Sequence, residues 1–159
     1  MSRPSYTTSF SIDRAPDQVF DAINDVRGWW MTKIDGDNRA VGDEFSYRVP
    51  GVHFCRMRVT KLVPGETVVW QVIDNHMSFI EDQSEWKGTE IRFELSEKDG
   101  GTEVRFTHDG LVPSYECFDV CRSAWTFYVG DSLRSLAATG QGTPSDPDTI
   151  SLGDEARVR

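Results

Sequence analysis

The feature that most constrains this fold is a long stretch of helical periodicity near the C-terminus, from Ser114 to Thr139. Its apolar residues recur at steps of three and four, which places them on one face of an α-helix. The residues on that face are Phe118, Cys121, Trp125, Tyr128, Val129, Ser132 and Leu136. At 1.5 Å per residue such a helix is about 39 Å long. We therefore predict one continuous helix that needs a broad apolar partner.

The sequence also marks both ends of this helix. Ser114 follows Pro113 and can accept a hydrogen bond from an N–H group of the first turn. Glu116 in that turn suits the positive end of the helix dipole. Gly140 follows the last periodic residue, which is typical of a C-terminal residue in the left-handed conformation. The predicted helix therefore covers 114–139.

Between the N-terminus and this helix, apolar and polar residues alternate in several short segments, as they do in half-buried strands. The predicted strands cover 6–12, 44–49, 53–62, 68–73, 91–96 and 104–108. Pro64-Gly65 predicts a tight turn, because proline presets φ and glycine tolerates positive φ. Asp99-Gly100-Gly101 predicts a hairpin turn, since glycine adopts the mirror-image dihedrals that it needs. This pattern indicates an antiparallel sheet with one wet face, and the long helix is the element that can cover the other face.

Two short helices are predicted after the first strand. Pro16 suits the first helical position, so the first helix covers 16–24. Residues 26–30 form a second short turn that carries Trp29 and Trp30. We expect the two helices to close one end of the sheet.

The remaining segments are predicted to be irregular. Residues 31–43 contain glycines and several Asp and Asn, which is typical of a loop. Residues 74–88 are interpreted as a short irregular strand or a flap. Residues 141–159 are rich in Gly, Pro, Ser and Asp, and we expect a flexible tail there. We therefore predict a single domain over 1–140.

The charge of the chain limits its partners. The 159 residues carry a formal net charge of −9, with a sequence pI ≈ 4.7. No basic face is available for phosphates, which argues against nucleic acid and against anionic membranes. The sequence contains no apolar run long enough to cross a bilayer and no signal peptide. We therefore expect a cytoplasmic protein.

The three cysteines are Cys55, Cys117 and Cys121, and they lack the spacing of a disulfide framework. We expect reduced thiols that act as small apolar side chains. A soft metal shared by these cysteines or a histidine is the less favoured alternative. The sequence contains no Gly-rich phosphate loop and no nucleophile elbow. We expect no metal, no cofactor and no recognisable catalytic motif.

The order of these elements resembles the START-like (SRPBCC) helix-grip superfamily, and within it the branch related to the C-terminal domain of the Hsp90 ATPase activator. The residues that carry the resemblance are Ala15-Pro16-Asp17-Gln18-Val19-Phe20, Val26-Arg27-Gly28-Trp29-Trp30, Val68-Val69-Trp70, Glu85-Trp86-Lys87-Gly88-Thr89, Phe106-Thr107-His108 with Gly110-Leu111, and Trp125. The resemblance covers about 6–140. It implies an α+β helix-grip fold, in which a curved antiparallel sheet wraps around the long C-terminal helix and an apolar cavity lies between them.

The candidate binding site is the lining of that implied cavity. Its residues are Trp29, Trp30, Phe45, Tyr47, Trp70, Phe106, His108, Phe118, Trp125 and Tyr128. Most are aromatic, and Tyr47, His108 and Tyr128 can supply the few polar groups that orient a ligand in such pockets. The alternative is an ordinary packed core, since aromatic residues at helical spacing are more often packing than a ligand site.

The histidines are interpreted from their strand positions. The parity of its strand places His108 inward, where it can orient a substrate and exchange a proton near neutral pH. We favour a structural role, as a neutral imidazole bonded to the backbone or to a tyrosine hydroxyl. His53 and His76 lie near strand ends, and we expect both to be solvated.

Three functions follow from this interpretation. The first is a domain that binds a small apolar or aromatic molecule, lipid- or polyketide-like, and its basis is the predicted aromatic lining. The superfamily resemblance implies the second, a cyclase- or dehydratase-type enzyme that uses His108 with a tyrosine. It also implies the third, a co-chaperone-like partner of Hsp90.

Overall fold

The computed structural model describes residues 6–49, 53–77, 87–111 and 118–146 of the 159-residue chain. The strands are β1 (Tyr6–Ile12), β2 (Asp35–Gly36), β3 (Glu44–Val49), β4 (His53–Val63), β5 (Thr67–Met77), β6 (Glu90–Lys98) and β7 (Gly101–Asp109). The helices are α1 (Pro16–Asn24), α2 (Val26–Trp29), α3 (Phe118–Phe127) and α4 (Arg134–Thr139), with a π-helical segment, Tyr128–Leu133, between the last two.

The strands form one antiparallel sheet in the order β1-β7-β6-β5-β4-β3-β2. Consecutive strands from β2 to β7 are neighbours, and β1 pairs with β7. The α+β helix-grip fold predicted from the sequence is confirmed. The short β2 lies in the segment predicted to be a loop, 31–43. β5 continues through Met77 into the segment predicted to be irregular, and residues 78–86 of that segment lie outside the described ranges.

The hairpin between β6 and β7 shows why the turn residues matter. Lys98 pairs with Gly101, so the loop consists of Asp99 and Gly100. Their φ angles are 53° and 83°, and both are in the left-handed region. A two-residue hairpin loop of this kind needs positive φ at both positions. The turn predicted here is therefore confirmed.

Helix α1 lies at the end of the sheet that carries the β4–β5 turn. It begins at Pro16, and Ala15 makes no side-chain cap, because alanine has no hydrogen-bonding side chain. A Cβ at Gly65, in the β4–β5 turn, would lie 2.9 Å from a carboxylate oxygen of Asp17. The buried side of α1, which includes Val19 and Ile23, packs into the core. We refer to the opposite end of the sheet as the end away from α1.

The helical stretch near the C-terminus is continuous from 118 to 139, but it is not a uniform α-helix. Residues 114–117, where the predicted helix begins, lie outside the described ranges. A π-helical turn contains more residues than an α-helical turn, so it shifts the buried face. From the last residue of that segment onward, Leu133 and Ala137 are the buried residues, whereas the predicted Leu136 is only partly buried. Gly140 has a φ of 85° and ends the helix as predicted.

The predicted flexible tail does not begin at Gln141, because residues 141–146 are bonded to the rest of the domain. The Ser145 N–H donates to the Trp30 carbonyl at 3.0 Å, and the Thr32 N–H donates to the Ser145 carbonyl at 2.9 Å. The hydroxyls of Tyr128 and Ser145 are 2.7 Å apart. We call residues 141–146 the C-terminal strap. Residues 147–159 lie outside the described ranges.

Candidate functional site

Trp30 lies at the centre of the interior between the sheet and the C-terminal helix. Its ring centroid is 5.7 Å from that of Trp29 and 5.0 Å from that of Tyr47 on β3. It is 6.0 Å from that of Trp70 on β5 and 5.1 Å from that of Trp125 on α3. All five side chains are buried. The structure therefore brings together half of the predicted site residues around a single indole.

Three further predicted residues extend this group. Phe45 packs on Trp70, with ring centroids 5.1 Å apart. Phe106 and His108 pack on Trp125, at 4.8 Å and 6.0 Å. Phe93, which the predicted site omits although its strand parity places it inward, contacts three of these rings. The aromatic cluster consists of Trp29, Trp30, Phe45, Tyr47, Trp70, Phe93, Phe106 and Trp125.

The last two predicted site residues are Tyr128 and Phe118. Tyr128 is buried, but its hydroxyl meets Ser145 of the C-terminal strap. Its ring packs against Phe127 at 5.2 Å. Phe118 lies at the start of α3, and its side chain is outside what the structure describes.

His108 is fully buried, and both of its ring nitrogens are hydrogen-bonded. The Trp125 indole donates to Nδ1 at 3.0 Å. An indole nitrogen can only donate, so Nδ1 must carry the lone pair and Nε2 must carry the proton. Nε2 therefore donates to the Thr89 hydroxyl at 2.8 Å. This geometry agrees with the structural role predicted for His108. The partners that the structure describes are Trp125 and Thr89, where the prediction named the backbone or a tyrosine hydroxyl.

The surroundings of His108 also fix its charge. Burial without compensating charge disfavours the imidazolium and lowers the pKa of His108 from 6.5 to about 3. The ring is therefore neutral near pH 7.

The prediction that His53 is solvated was wrong. His53 is buried, and its Nδ1 lies 3.2 Å from the hydroxyl of Tyr47. The two rings also pack edge to face at 5.2 Å. Its position at a strand end suggested exposure, but β3 and β5 flank it and place it on the inner face. His76 is exposed, as predicted.

Buried polar side chains collect at the end of the sheet away from α1. Tyr47, Cys55 and Asn75 are neighbours across three strands, and His53 pairs with Met77 at the same end. Thr89 and His108 lie at this end of β6 and β7. The polar end consists of Tyr47, His53, Asn75, Thr89 and His108, all of which are buried. It places hydroxyl, imidazole and amide groups beside the aromatic cluster.

The described cysteines are apolar in character. Cys55 and Cys121 are buried thiols, and Cys117 lies outside the described ranges. Burial, and secondarily the negative charge of Asp74, raises the pKa of the Cys55 thiol far above its usual value. Within the described ranges, no three His, Cys, Asp or Glu side chains gather as metal ligands. Among the helices that the structure describes, none has the length and apolarity needed to span a membrane.

Comparison with known protein families gives one match. The family described as "Activator of Hsp90 ATPase homolog 1-like protein" matches residues 13–138. No curated protein matches the sequence significantly.

Several solved structures share this fold. The structure of the Aha1 dimer from Colwellia psychrerythraea is 27% identical in sequence, covers 88% of this chain and 100% of its own, and has a TM-score of 0.71. Protein MLL2253 from Mesorhizobium loti is 17% identical, with 84% of this chain and 96% of its own covered and a TM-score of 0.67. CalU16 from Micromonospora echinospora is 16% identical, with 85% and 76% covered and a TM-score of 0.59.

Proposed function

The chain belongs to the Activator of Hsp90 ATPase homolog 1-like protein family, and from that premise we propose that it binds a small apolar or aromatic molecule. The binding cavity lies between the sheet and the C-terminal helix, beside the aromatic cluster. The ligand is lipid- or polyketide-like, because the aromatic side chains offer mainly apolar contact. Small-molecule sites are usually lined by such side chains together with a few polar groups.

The observation that carries this proposal is the polar end. Polar side chains are costly to bury in a core, and five of them gathered at one end of an aromatic cluster are unusual for simple packing. Tyr47 and His53 are bonded to each other, and His108 is bonded to Thr89. These groups sit on rigid strands, so they can orient one polar substituent of an otherwise apolar molecule.

The proposal is tested with three probes: palmitate, the flavonoid quercetin and the anthraquinone emodin. We expect at least one of them to raise the melting temperature and to change the tryptophan fluorescence, because binding to the folded state alone stabilises it. If none of the three binds in either measurement, the proposal fails.

Two histidine variants locate the site. His53→Ala removes a buried group of the polar end, and we expect affinity for the bound probe to fall roughly tenfold. His76→Ala removes an exposed histidine one residue before the end of the neighbouring strand β5, and we expect no change. Equal effects of the two substitutions would contradict the location.

The enzyme alternative based on His108 gains no support from this geometry. Both ring nitrogens are bonded inside the protein, to Trp125 and Thr89. The lowered pKa also makes the ring a weak base near neutral pH.

A second candidate function is binding to Hsp90. The similarity to the Aha1 structure from Colwellia psychrerythraea, at 27% identity over the whole of that chain, favours it. Retention of this protein on immobilised Hsp90 would support the candidate, and passage through the column unretained would count against it.

A further inference from the structure

Trp70 carries a buried hydrogen-bond donor at the middle of the sheet. It lies on β5 between Val59 of β4 and Ile91 of β6, and it faces the interior. The side chain is fully buried. Its Nε1–H group has no hydrogen-bond partner in the described part of the protein.

Two other buried indoles of the aromatic cluster are satisfied. The Trp29 indole donates to the Ile23 carbonyl at 3.0 Å. The Trp125 indole donates to His108 Nδ1 at 3.0 Å. Buried tryptophans normally find such partners, whereas the Trp70 donor has none among the described residues.

The ring contacts of Trp70 explain why no acceptor is at hand. Trp30 stacks on it with an interplanar angle of 8°. Phe45 and Phe93 meet it edge to face, with centroids 5.1 Å and 5.2 Å away. These neighbours are hydrocarbon surfaces, and a buried donor among them is destabilising. An outside group that brings an acceptor therefore gains a hydrogen bond without displacing one.

We propose that the bound molecule is a planar aromatic compound with a carbonyl oxygen, such as an aromatic ketone or quinone. The oxygen accepts a hydrogen bond from Trp70 Nε1, and the surrounding rings of Phe45 and Phe93 offer contact to an aromatic ligand. This inference rests on the proposed function, because it names the ligand chemistry of the same site.

A matched pair of probes isolates the carbonyl. Fluorenone and fluorene have the same planar carbon skeleton, and only fluorenone carries the oxygen. Each is titrated into ¹⁵N-labelled protein while the indole N–H resonances of the five tryptophans are followed. We expect fluorenone to move the Trp70 indole proton downfield, as a new hydrogen bond does, and fluorene to leave it without that shift.

Trp70→Phe supplies the second arm, since phenylalanine keeps an aromatic ring and removes the donor. We expect this variant to lose roughly threefold to tenfold more affinity for fluorenone than for fluorene. The Trp70 indole resonance is assigned from spectra of the wild-type protein. The fluorenone titration therefore tests the inference even if the Trp70→Phe variant does not fold.

The outcomes separate this inference from the proposed function. If both probes bind and the Trp70 indole proton does not shift downfield, the carbonyl inference is overturned while the binding function stands. If neither probe binds while palmitate, quercetin or emodin does, the carbonyl inference is overturned and the binding function stands. If none of the five compounds binds, both are overturned. A nuclear Overhauser contact between the Trp70 indole proton and a trapped water that persists with fluorenone bound would also overturn the inference.

Discussion

The imidazole of His108 is held in one protonation state by its neighbours. The Trp125 indole needs an acceptor, and only the neutral ring with its proton on Nε2 offers one at Nδ1. The Thr89 hydroxyl then accepts from Nε2. Three side chains from β7, α3 and the segment before β6 thus share one chain of hydrogen bonds. Protonation of the ring would break the bond to Trp125.

This arrangement makes the stability of the domain depend on pH. The unfolded chain binds a proton at His108 near pH 6.5, whereas the folded protein does not until about pH 3. Stability is therefore fully present above about pH 6.5 and falls as the pH drops toward 3, by about 1.4 kcal/mol per pH unit from this group. We expect urea denaturation at several pH values to show this slope.

The control for that prediction is His108→Asn, whose side-chain oxygen can still accept from Trp125 but does not titrate. Between about pH 7 and about pH 4 the wild type should lose about 3 kcal/mol more unfolding free energy than the variant. Other titrating groups affect both proteins alike and cancel in the difference. Parallel losses in the two proteins would show that His108 is not the group responsible.

For single residues, the sequence predicts the burial of a side chain better than it predicts its hydrogen-bond partners. Strand parity placed His108 inward, because side chains alternate between the two faces of a strand. Its contact with Trp125 comes from tertiary packing that no local pattern encodes. His53 is an exception to this. Its position near a strand end suggested exposure to solvent, but the strands on either side of it bury the side chain.

Among the elements, the π-helical segment 128–133 bonds the long helix to α2 and to the C-terminal strap. Ser132 within it is buried and donates to the Trp29 carbonyl at 2.7 Å. The same hydroxyl accepts from the Thr143 N–H at 2.8 Å. One side chain therefore joins the helix to α2 and to the C-terminal strap. π-helical segments are often found where a helix departs from simple packing.

We expect Ser132→Ala to lower the free energy of unfolding by about 2–3 kcal/mol, because the buried Trp29 carbonyl and the part-buried Thr143 N–H lose their partner. Ser135→Ala is the matched control in the next turn of the same helix. Its hydroxyl bonds the Gln141 carbonyl at an exposed site, and its loss should cost less than about 1 kcal/mol. Chemical denaturation of both variants measures the two values, and equal losses would argue against this role for Ser132.

The elements themselves follow closely from local rules. β1 and β3 have the predicted bounds, and α1 begins and ends where Pro16 and Asn24 predict. The π-helical turn escaped prediction because a residue spacing of three and four fits an ordinary helix as well. The strap escaped it because a Gly-, Pro- and Ser-rich composition describes backbone preference, not the hydrogen bonds that a segment makes with distant residues.

For the molecule as a whole, Trp30 joins the layers. Its ring contacts Trp29 of α2, Tyr47 of β3, Trp70 of β5 and Trp125 of α3. Its carbonyl also accepts from the strap. Trp30 therefore links the sheet, the C-terminal helix and the strap through its ring and its backbone carbonyl.

We expect Trp30→Ala to destabilise the protein by about 3–5 kcal/mol, because it removes a large buried ring and leaves a cavity. Val41→Ala is the control, since Val41 is 62% exposed and surface substitutions usually change stability by less than about 0.5 kcal/mol. Urea denaturation of the two variants provides the comparison. A loss of under about 1 kcal/mol for Trp30→Ala would contradict the central position of this residue.

The composition of the site was largely predictable, but its chemistry was not. The aromatic residues follow from their inward parity and from the family resemblance. The polar end required the structure, because Asn75, Thr89 and His53 reach the same end of the sheet only through strand pairing. The unpartnered donor on Trp70 is likewise a property of the assembled core.

The strap also sets how far this protein can be shortened. A boundary drawn at Gly140, where the helical periodicity stops, would discard the hydrogen bonds that Ser145 makes to Trp30, Thr32 and Tyr128. Trimming for crystallisation or for a fused reporter should therefore leave the chain intact through at least Asp146.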